Sequence, residues 1–156
     1  MNITWSMKPF DELSLQELYK ILQLRMEVFV VEQNCPFQDA DNKDLKCHHL
    51  MGWQNDRLVA YTRIVPPGIS YEFPSIGRVV TSPAARKGGL GRLLMQQSII
   101  ETEKLYGDKS IRIGAQLYLK KFYESFGFIQ SSDIYVEDGI EHIEMTRNKL
   151  PSKSTT

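Results

Sequence analysis

The chain has 156 residues, 42% of them hydrophobic and 24% charged, which is the composition of one globular domain with a buried core and not of a disordered chain. Its 19 basic residues balance 19 acidic ones, so no net charge favours nucleic acid or an anionic membrane as a partner. The first residues lack a signal-peptide pattern, no apolar run approaches the roughly 20 residues that span a bilayer, and two cysteines, Cys35 and Cys47, are too few for a disulfide framework. We therefore expect a cytoplasmic protein with free thiols.

The first elements predicted in chain order are a short strand at 2–7 and a long helix. Ser14 and Glu17 form the S-x-x-E pattern of a capping box, which marks a helix N-terminus. Apolar residues then recur at three- and four-residue spacing, which predicts that they form the buried face: Leu15, Leu18, Tyr19, Leu22, Met26 and Phe29. Residues 33–46 have no period, so we expect a long loop or a broken short helix, and loops of this length are more often functional.

The remaining elements give the order strand, strand, strand, helix, strand, helix and hairpin. We predict them at 47–54 and 57–65 (joined by an Asn55-Asp56 turn), 76–82, about 89–106 (ending near Gly107), 110–116, 117–126, and 128–136 with 140–147. This order predicts a mixed α/β layer in a single domain over 1–149, not a repeated βαβ array. Residues 150–156 have nothing to bury, so we expect a disordered tail.

A glycine-rich stretch follows the strand at 76–82. Residues 86–91 read RKGGLG and open the predicted helix. The first N–H groups of a helix have no partner within it, and glycines let an anion approach them, so the pattern favours a phosphate site to which Arg86 and Lys87 would add hydrogen bonds. A glycine-rich turn with basic residues for solubility is the alternative. The patterns GxxxxGK[ST] and GxGxxG are both absent, so the phosphate must belong to a carrier other than a nucleoside triphosphate or a dinucleotide.

Two motifs at a suitable separation indicate which carrier this is. RKGGLG matches [RQ]-x-x-G-x-[GA], the pyrophosphate motif of the GNAT superfamily of N-acetyltransferases, and QLYLKKFYESFGF at 116–128 is similar to that family's helix-then-GF segment. The segments VFVVEQNCPFQDAD, GAQ with FYESFGF, and EDGIEHIEM resemble the ElaA-type acetyltransferases of bacteria more specifically. The resemblance covers almost the whole chain, because the predicted order of elements is also that of the superfamily.

The resemblance implies the GNAT fold, an α/β (α+β mixed) architecture. Its central sheet of six to seven mostly antiparallel strands, flanked by helices, splays between the strand before the phosphate loop and the next strand. The coenzyme A arm is expected to lie in this gap and to pair with backbone as an added strand would. The implied cofactor-binding residues are Val79, Val80, Thr81, Arg86, Lys87, Gly88, Gly89, Gly91, Arg92, Gln116 and Tyr123. Gln116 stands where relatives often carry asparagine.

The implied activity is transfer of the acetyl group from acetyl-CoA to a primary amine, either a small amine or a protein lysine or N-terminus. The amine attacks directly and a tetrahedral oxyanion forms, for which the resemblance implies the Val80 N–H as donor. Tyr123 is implied as the proton donor to the departing thiolate, because an unperturbed phenol with a pKa near ~10 is protonated at neutral pH. The alternative for Tyr123 is a core aromatic beside Leu119, Phe122 and Phe126.

The general base stays open at this point. Many relatives carry a glutamate on the strand before the phosphate loop, where this chain has Arg78. Candidates are Glu32, His48, His49, Glu72 and His142, of which a histidine such as His142 suits proton removal near neutral pH, unless it is a strand histidine with a satisfied hydrogen bond. His48 and His49 point to opposite faces of a strand, so only one can line a pocket. Glu32, Gln33 and His49 are the predicted acceptor contacts, with helix-end solvation as the alternative for Glu32.

No metal is expected. Asp39, Asp41 and Asp44 lie in the loop at 33–46 without the glycine and glutamate of a calcium loop, so we expect a solvated loop, or one that attracts a cationic amine. The cysteines and histidines lack the spacing of a zinc site. The expected partners are coenzyme A and an amine, and a homodimer through sheet edges or an apolar loop face is compatible with the sequence. A non-catalytic acyl-CoA-binding sensor is the alternative function.

Overall fold

Eight strands and three α-helices make up residues 2–149, the part of the chain that the structure, a computed structural model, describes. The strands are β1 (Thr4–Pro9), β2 (His48–Gln54), β3 (Arg57–Val65), β4 (Ser75–Thr81), β5 (Ile111–Gln116), β6 (Phe128–Gln130), β7 (Tyr135–Glu137) and β8 (Ile140–Arg147). The helices are α1 (Leu15–Arg25), α2 (Leu90–Tyr106) and α3 (Lys120–Glu124); a π-helical segment, Met26–Glu32, continues α1. Four 3₁₀ turns lie at Phe10–Glu12, Lys43–Lys46, Pro83–Ala85 and Leu117–Leu119. The predicted tail at 150–156 lies outside the described residues.

The strands form two sheets, and each strand pairs with its neighbours in antiparallel fashion within the described residues. One sheet has the order β1-β2-β3-β4, and the other has the order β5-β8-β6 with β7 also on β8. The prediction of a mixed α/β fold with a mostly antiparallel sheet is therefore confirmed. The predicted single strand at 128–136 is wrong: β6 and β7 are separate, because the Ser132 hydroxyl accepts the Glu144 N–H at 2.8 Å in place of a ladder carbonyl.

The two sheets meet at β4 and β5 and then separate. The Arg112 N–H donates to the Pro74 carbonyl at 3.1 Å, where both strands begin. The two strands belong to different sheets, and a cleft opens between them towards their carboxyl ends. This is the predicted splay.

Helix α2 packs against both sheets and fixes them relative to each other. Leu90 and Leu94 are fully buried against the β1-β2-β3-β4 sheet, and Met95 lies in the cluster that includes Ile111 and Ile113 of β5. The helix N-terminus, which carries the glycine-rich stretch, is thereby held at the mouth of the splay. Among residues 2–149, no helix is both long and apolar enough to cross a membrane.

The buried face of α1 differs from the predicted one. The capping box is present as predicted, with Ser14 Oγ accepting the Glu17 N–H at 3.0 Å. Leu15 and Tyr19, however, are 85% and 69% exposed, and the face that packs inwards consists of Ile21, Leu24, Arg25 and Val28. The apolar pattern missed this face because a charged residue, Arg25, lies in the middle of it and is 0% exposed.

Candidate active site

A cleft of about 770 Å³ lies between β4 and β5. Its other walls are the π-helical segment 26–32, the loop at 35–43 and the β7–β8 hairpin. Three separate parts of the sequence converge here: the glycine-rich loop, the segment after α1 and the C-terminal hairpin. All are segments that the sequence analysis singled out.

The glycine-rich loop has the backbone of an anion site at the entry to α2. Gly88 and Gly89 have φ of +81° and +77°, a region that L side chains rarely adopt, and α2 begins at Leu90. Gly91, in the first turn, lines the cleft. The N–H of Arg92, one of the predicted cofactor-binding residues, already donates to the Gly89 carbonyl at 3.1 Å. It is therefore not free to bind a phosphate.

The side chains of Arg92 and Lys87 contribute differently from that of Arg86. Arg92 donates to Ser125 Oγ at 2.9 Å and stacks on the Phe126 ring at 4.6 Å, which fixes α2 against the segment after α3. Lys87 is exposed on the loop and does not line the cleft. Arg86 lines the cleft and is the loop cation that faces it.

Arg86 makes a forked ion pair with Glu32. Its Nη2 and Nη1 donate to the two carboxylate oxygens at 2.6 and 2.9 Å, and Nη2 also lies 3.4 Å from the Thr81 carbonyl. Both side chains are about two-fifths exposed. A predicted phosphate contact and a predicted acceptor contact are thus bonded to each other across the cleft mouth.

The hydrogen bonds between β4 and β3 determine which N–H groups of β4 face the cleft. The predicted oxyanion donor, the Val80 N–H, is not among them. The Ser82 N–H donates to the Val59 carbonyl at 2.8 Å, and pairing runs without a shift to Tyr61 opposite Val80. Because antiparallel pairs alternate between bonded and non-bonded, the Val80 N–H faces β3, whereas the backbone groups of Val79 and Thr81 face the cleft. The sequence could not show which residues of β4 hydrogen-bond to β3, because Val79 and Val80 are adjacent residues of the same type.

Tyr123 of α3 lies between the core and the cleft. It is 6% exposed and packs edge-on against Phe122 and Phe128, so it is a core aromatic as well as a cleft residue. Burial raises the pKa of its phenol well above the usual value. The hydroxyl therefore keeps its proton throughout the neutral range.

His142 and Gln116 sit side by side on the paired strands β8 and β5 and both line the cleft. His142 Nδ1 donates to the Ile140 carbonyl at 2.7 Å, since a carbonyl only accepts, so in the neutral ring Nε2 carries the lone pair. Nε2 lies 3.7 Å from a carboxylate oxygen of Glu137. The Gln116 amide donates to the Gln33 side chain at 3.3 Å, which joins two predicted site residues.

The other two histidine candidates for the general base, His48 and His49, lie outside the cleft. His49 is 1% exposed, its ring nitrogens bond to the Tyr61 hydroxyl and the Asp44 carbonyl at 2.7 and 2.9 Å, and burial lowers its pKa. The prediction of an acceptor contact at His49 is therefore wrong, because the inward face of β2 packs against the core and not the cleft. His48 and Glu72 do not line the cleft either.

The acidic loop is not solvated as predicted, but pairs with arginines from three elements. Arg25 of α1 bonds Asp39 and Asp44 at 2.6 and 2.8 Å, and Arg63 of β3 bonds Asp41 and Asp44 at 2.7 and 3.0 Å. The third arginine, Arg78 of β4, lies 2.7 Å from Asp39 and 3.4 Å from Asp41. Charges spread over 54 positions of sequence carry no local pattern, so sequence reasoning missed this network.

Two tyrosines beside Gly114 of β5 were also missed, of which Tyr71 lines the cleft. Tyr71 and Tyr135 bring their hydroxyls to Gly114 of β5, where an added Cβ would stand 3.2 and 3.0 Å from them. Burial raises the pKa of both phenols. Gly114 was visible in the GAQ segment, but Tyr71 comes from the β3–β4 loop and Tyr135 from β7, and no motif connects the two.

Of the two thiols, Cys35 lines the cleft and Cys47 does not. Cys47 is buried, with burial raising its pKa to about 11, and Cys35 bonds backbone carbonyls. Within 2–149 no three side chains among histidines, cysteines and acids are grouped to hold a metal ion.

Comparison with known proteins gives matches over nearly the whole chain. A family model described as "Acetyltransferase (GNAT) domain" matches residues 16–149. Protein ElaA of Escherichia coli (strain K12) is 47% identical over 150 residues, which cover 95% of this chain and 98% of that protein.

Solved structures match in the same way. The crystal structure of Escherichia coli ElaA has a TM-score of 0.88 and 46% identity, covering 94% of this chain and 100% of that one. An acyl-CoA N-acyltransferase from Pseudomonas aeruginosa has a TM-score of 0.90 and 44% identity, covering 94% and 99%. At 14% identity, a GNAT family acetyltransferase from Elizabethkingia anophelis with acetyl-CoA bound shares the fold, with a TM-score of 0.64 over 94% of this chain and 98% of that one.

Proposed function

The chain belongs to the GNAT acetyltransferase family, whose members transfer acyl groups from acyl-CoA, and from this premise we propose that it is an acetyl-CoA-dependent N-acetyltransferase acting on a primary amine. The observation that carries the proposal is the cleft between β4 and β5 with the glycine-rich loop at its mouth. A pantetheine-like arm needs unpaired strand edges, and a pyrophosphate needs bare helix N–H groups. Both lie along one cleft.

The cofactor would be held mainly by backbone. The N–H groups of the loop from Lys87 to Gly91 would cradle the pyrophosphate, where Gly88 and Gly89 supply left-handed backbone at little strain. Val79 and Thr81 would pair with the arm, because their N–H and C=O groups face the cleft. Bound acetyl-CoA supplies a thioester carbonyl, which the Val79 N–H would polarise as the oxyanion donor.

Proton transfer would use two side chains that line the cleft, His142 and Tyr123. His142 Nε2 has a free lone pair, and the nearby Glu137 carboxylate faces the proton that the ring would take from the amine. Tyr123 holds its proton at neutral pH and would give it to the departing thiolate, so that the products are an amide and the free thiol of coenzyme A. The His142 imidazolium would then return a proton through water to the Tyr123 phenolate, so that both side chains end in the forms in which they began.

The acceptor would enter between the π-helical segment and the β7–β8 hairpin, past Glu32 and Gln33. Glu32 is the carboxylate that a cationic amine would meet there once Arg86 turns to the pyrophosphate. Small amines and exposed lysines or N-terminal amines share this chemistry.

Thiol release from acetyl-CoA on addition of primary amines tests the proposal, with wild type compared to Tyr123→Phe. We expect amine-dependent release that the variant lowers by about tenfold or more, because the general acid is lost, while the Kd for acetyl-CoA stays within about twofold. Tyr19→Phe, on the exposed face of α1, is the matched control and should behave as wild type. Tight acetyl-CoA binding without release by any small amine, lysine peptide or N-terminal peptide would favour the acyl-CoA sensor instead.

A further inference from the structure

The strand β4 contains a bulge in the middle of the candidate active site. Between the pairs Arg63–Gly77 and Tyr61–Val80, β4 advances three residues while β3 advances two. Arg78 lies in the bulge with φ of +50°. Glycine usually occupies such a left-handed bulge position, so an arginine stays there only if its surroundings hold it.

The bulge decides which backbone groups reach the cleft. Before it, the Pro74 carbonyl accepts from Arg112 of β5, so even-numbered residues face β5. After it, Val79 and Thr81 face that side, because one inserted residue exchanges the two sets. If the bulge relaxed or moved, the N–H groups offered to the cofactor arm and the thioester would be different ones.

Asp39 makes the two shortest contacts of the Arg78 side chain, and Asp41 Oδ2 lies farther away, at 3.4 Å from Nη2. Asp39 Oδ1 lies 2.7 Å from Arg78 Nε, too bent for a hydrogen bond but a close ion pair, and the Asp39 backbone carbonyl accepts from Arg78 Nη2 at 2.9 Å. The other oxygen, Oδ2, accepts from Nε of the fully buried Arg25 at 2.6 Å. One residue therefore ties the bulge to the end of α1, just before the π-helical wall of the cleft.

We propose that Asp39 is a positioning residue for acyl transfer: by holding Arg78 in the left-handed bulge, it sets which amides of β4 face the cofactor arm. The kinetic part of this inference rests on the proposed function. Asp44 provides the matched comparison. It bonds the same Arg25 at 2.8 Å and is similarly buried, but it does not contact Arg78.

The affinities for acetyl-CoA and for a fragment of it distinguish a positioning role of Asp39 from a general effect on stability. In Asp39→Asn we expect the Kd for acetyl-CoA to rise at least about tenfold, while adenosine 3′,5′-bisphosphate, which lacks the arm, binds within about twofold of wild type. Asp44→Asn should change both affinities by less than about threefold in the fraction that is folded. Equal losses in the two variants, or equal losses for cofactor and fragment, would overturn the proposal.

Two substitutions at Arg78 test the conformation itself. Arg78→Ala loses the tie and disfavours positive φ, so it should match Asp39→Asn. Arg78→Gly also loses the tie but accepts the bulge conformation, so it should recover about half or more of the lost affinity on a logarithmic scale. If glycine is as poor as alanine, Arg78 acts through its side chain and Asp39 is not a positioning residue.

Amide hydrogen exchange over 76–81, measured on the free protein, reports how stable the bulge is in the absence of cofactor. Asp39→Asn should speed exchange there by about threefold or more relative to α2, and Asp44→Asn should not. If exchange in β4 is unchanged in Asp39→Asn, the proposal fails. If exchange changes as expected but wild type releases no thiol with any amine, the positioning stands and the proposed function fails.

Discussion

At the scale of single residues, Arg86 has two competing anions, the Glu32 carboxylate that it holds in the structure and the pyrophosphate of the proposed cofactor. Glu32→Gln removes the charge of the competitor. The pair is about two-fifths exposed and so is worth no more than about 1 kcal/mol, and we expect the Kd for acetyl-CoA to fall by about twofold to fivefold at low salt. Calorimetric titration measures it.

The control is Glu101→Gln, which removes a glutamate of α2 paired with Lys104 outside the cleft. It should leave the Kd unchanged. A weaker affinity in Glu32→Gln would mean that Glu32 supports Arg86 in its binding conformation and does not compete for it.

Gly91 is the residue at which the phosphate cradle can be blocked most directly. Gly91→Glu places a side chain and a negative charge into the proposed cradle, so the Kd for acetyl-CoA should rise at least about tenfold. A Cβ at this position would meet only Phe122 Cζ within 4 Å, at 3.9 Å, so the fold should tolerate the change. Unchanged binding in a variant with wild-type thermal unfolding would refute the cradle.

At the scale of elements, the acidic loop is joined to β3 by ion pairs that depend on pH. Burial raises the pKa of Asp41, but hydrogen bonds and charge from Arg63 outweigh it and lower the pKa to about 2. A lowered pKa means stability that is present above the unfolded value near ~4 and is lost as the pH falls towards 2. Because solvent partly screens the pair, Asp41→Asn should lose about 1 kcal/mol of unfolding free energy at pH 7, and most of that loss should disappear near pH 2.

Denaturant unfolding of wild type and Asp41→Asn between pH 7 and the acid limit of the folded state checks this. Asp56→Asn, in the exposed β2–β3 turn, is the control and should unfold at the same denaturant concentration as wild type. A loss in Asp41→Asn that is as large at pH 3 as at pH 7 would show that shape, and not charge, accounts for it.

Local patterns predicted the elements whose signals lie within a few residues. β3 was predicted at the bounds it has, and α2 and its end at Gly107 within one residue, because turn and cap residues mark them. The buried face of α1 was not readable, since Arg25 is buried only because Asp39 and Asp44 neutralise it from a distant loop. The break between β6 and β7 likewise depends on a serine that bonds a strand twelve positions away.

At the scale of the whole molecule, the candidate site is where two sheets, a helix N-terminus and a hairpin meet. The glycine-rich loop that we propose holds the cofactor was predictable, because glycines at the start of a helix expose its free N–H groups. The Arg86–Glu32 pair, the phase of β4 at Val79 and the Asp39–Arg78 contact were not, because they depend on register and on residues tens of positions apart. The motifs therefore indicated which segments form the candidate site, whereas the packing of distant residues determines which of their atoms face the cleft.

The first experiment to make is a titration of the wild-type protein with acetyl-CoA, followed in the same sample by an assay of thiol release on adding a panel of primary amines. We expect a Kd on the order of micromolar and thiol release that depends on the amine. Absence of binding in the folded protein would contradict this expectation, and RKGGLG would then be only a turn between a strand and a helix.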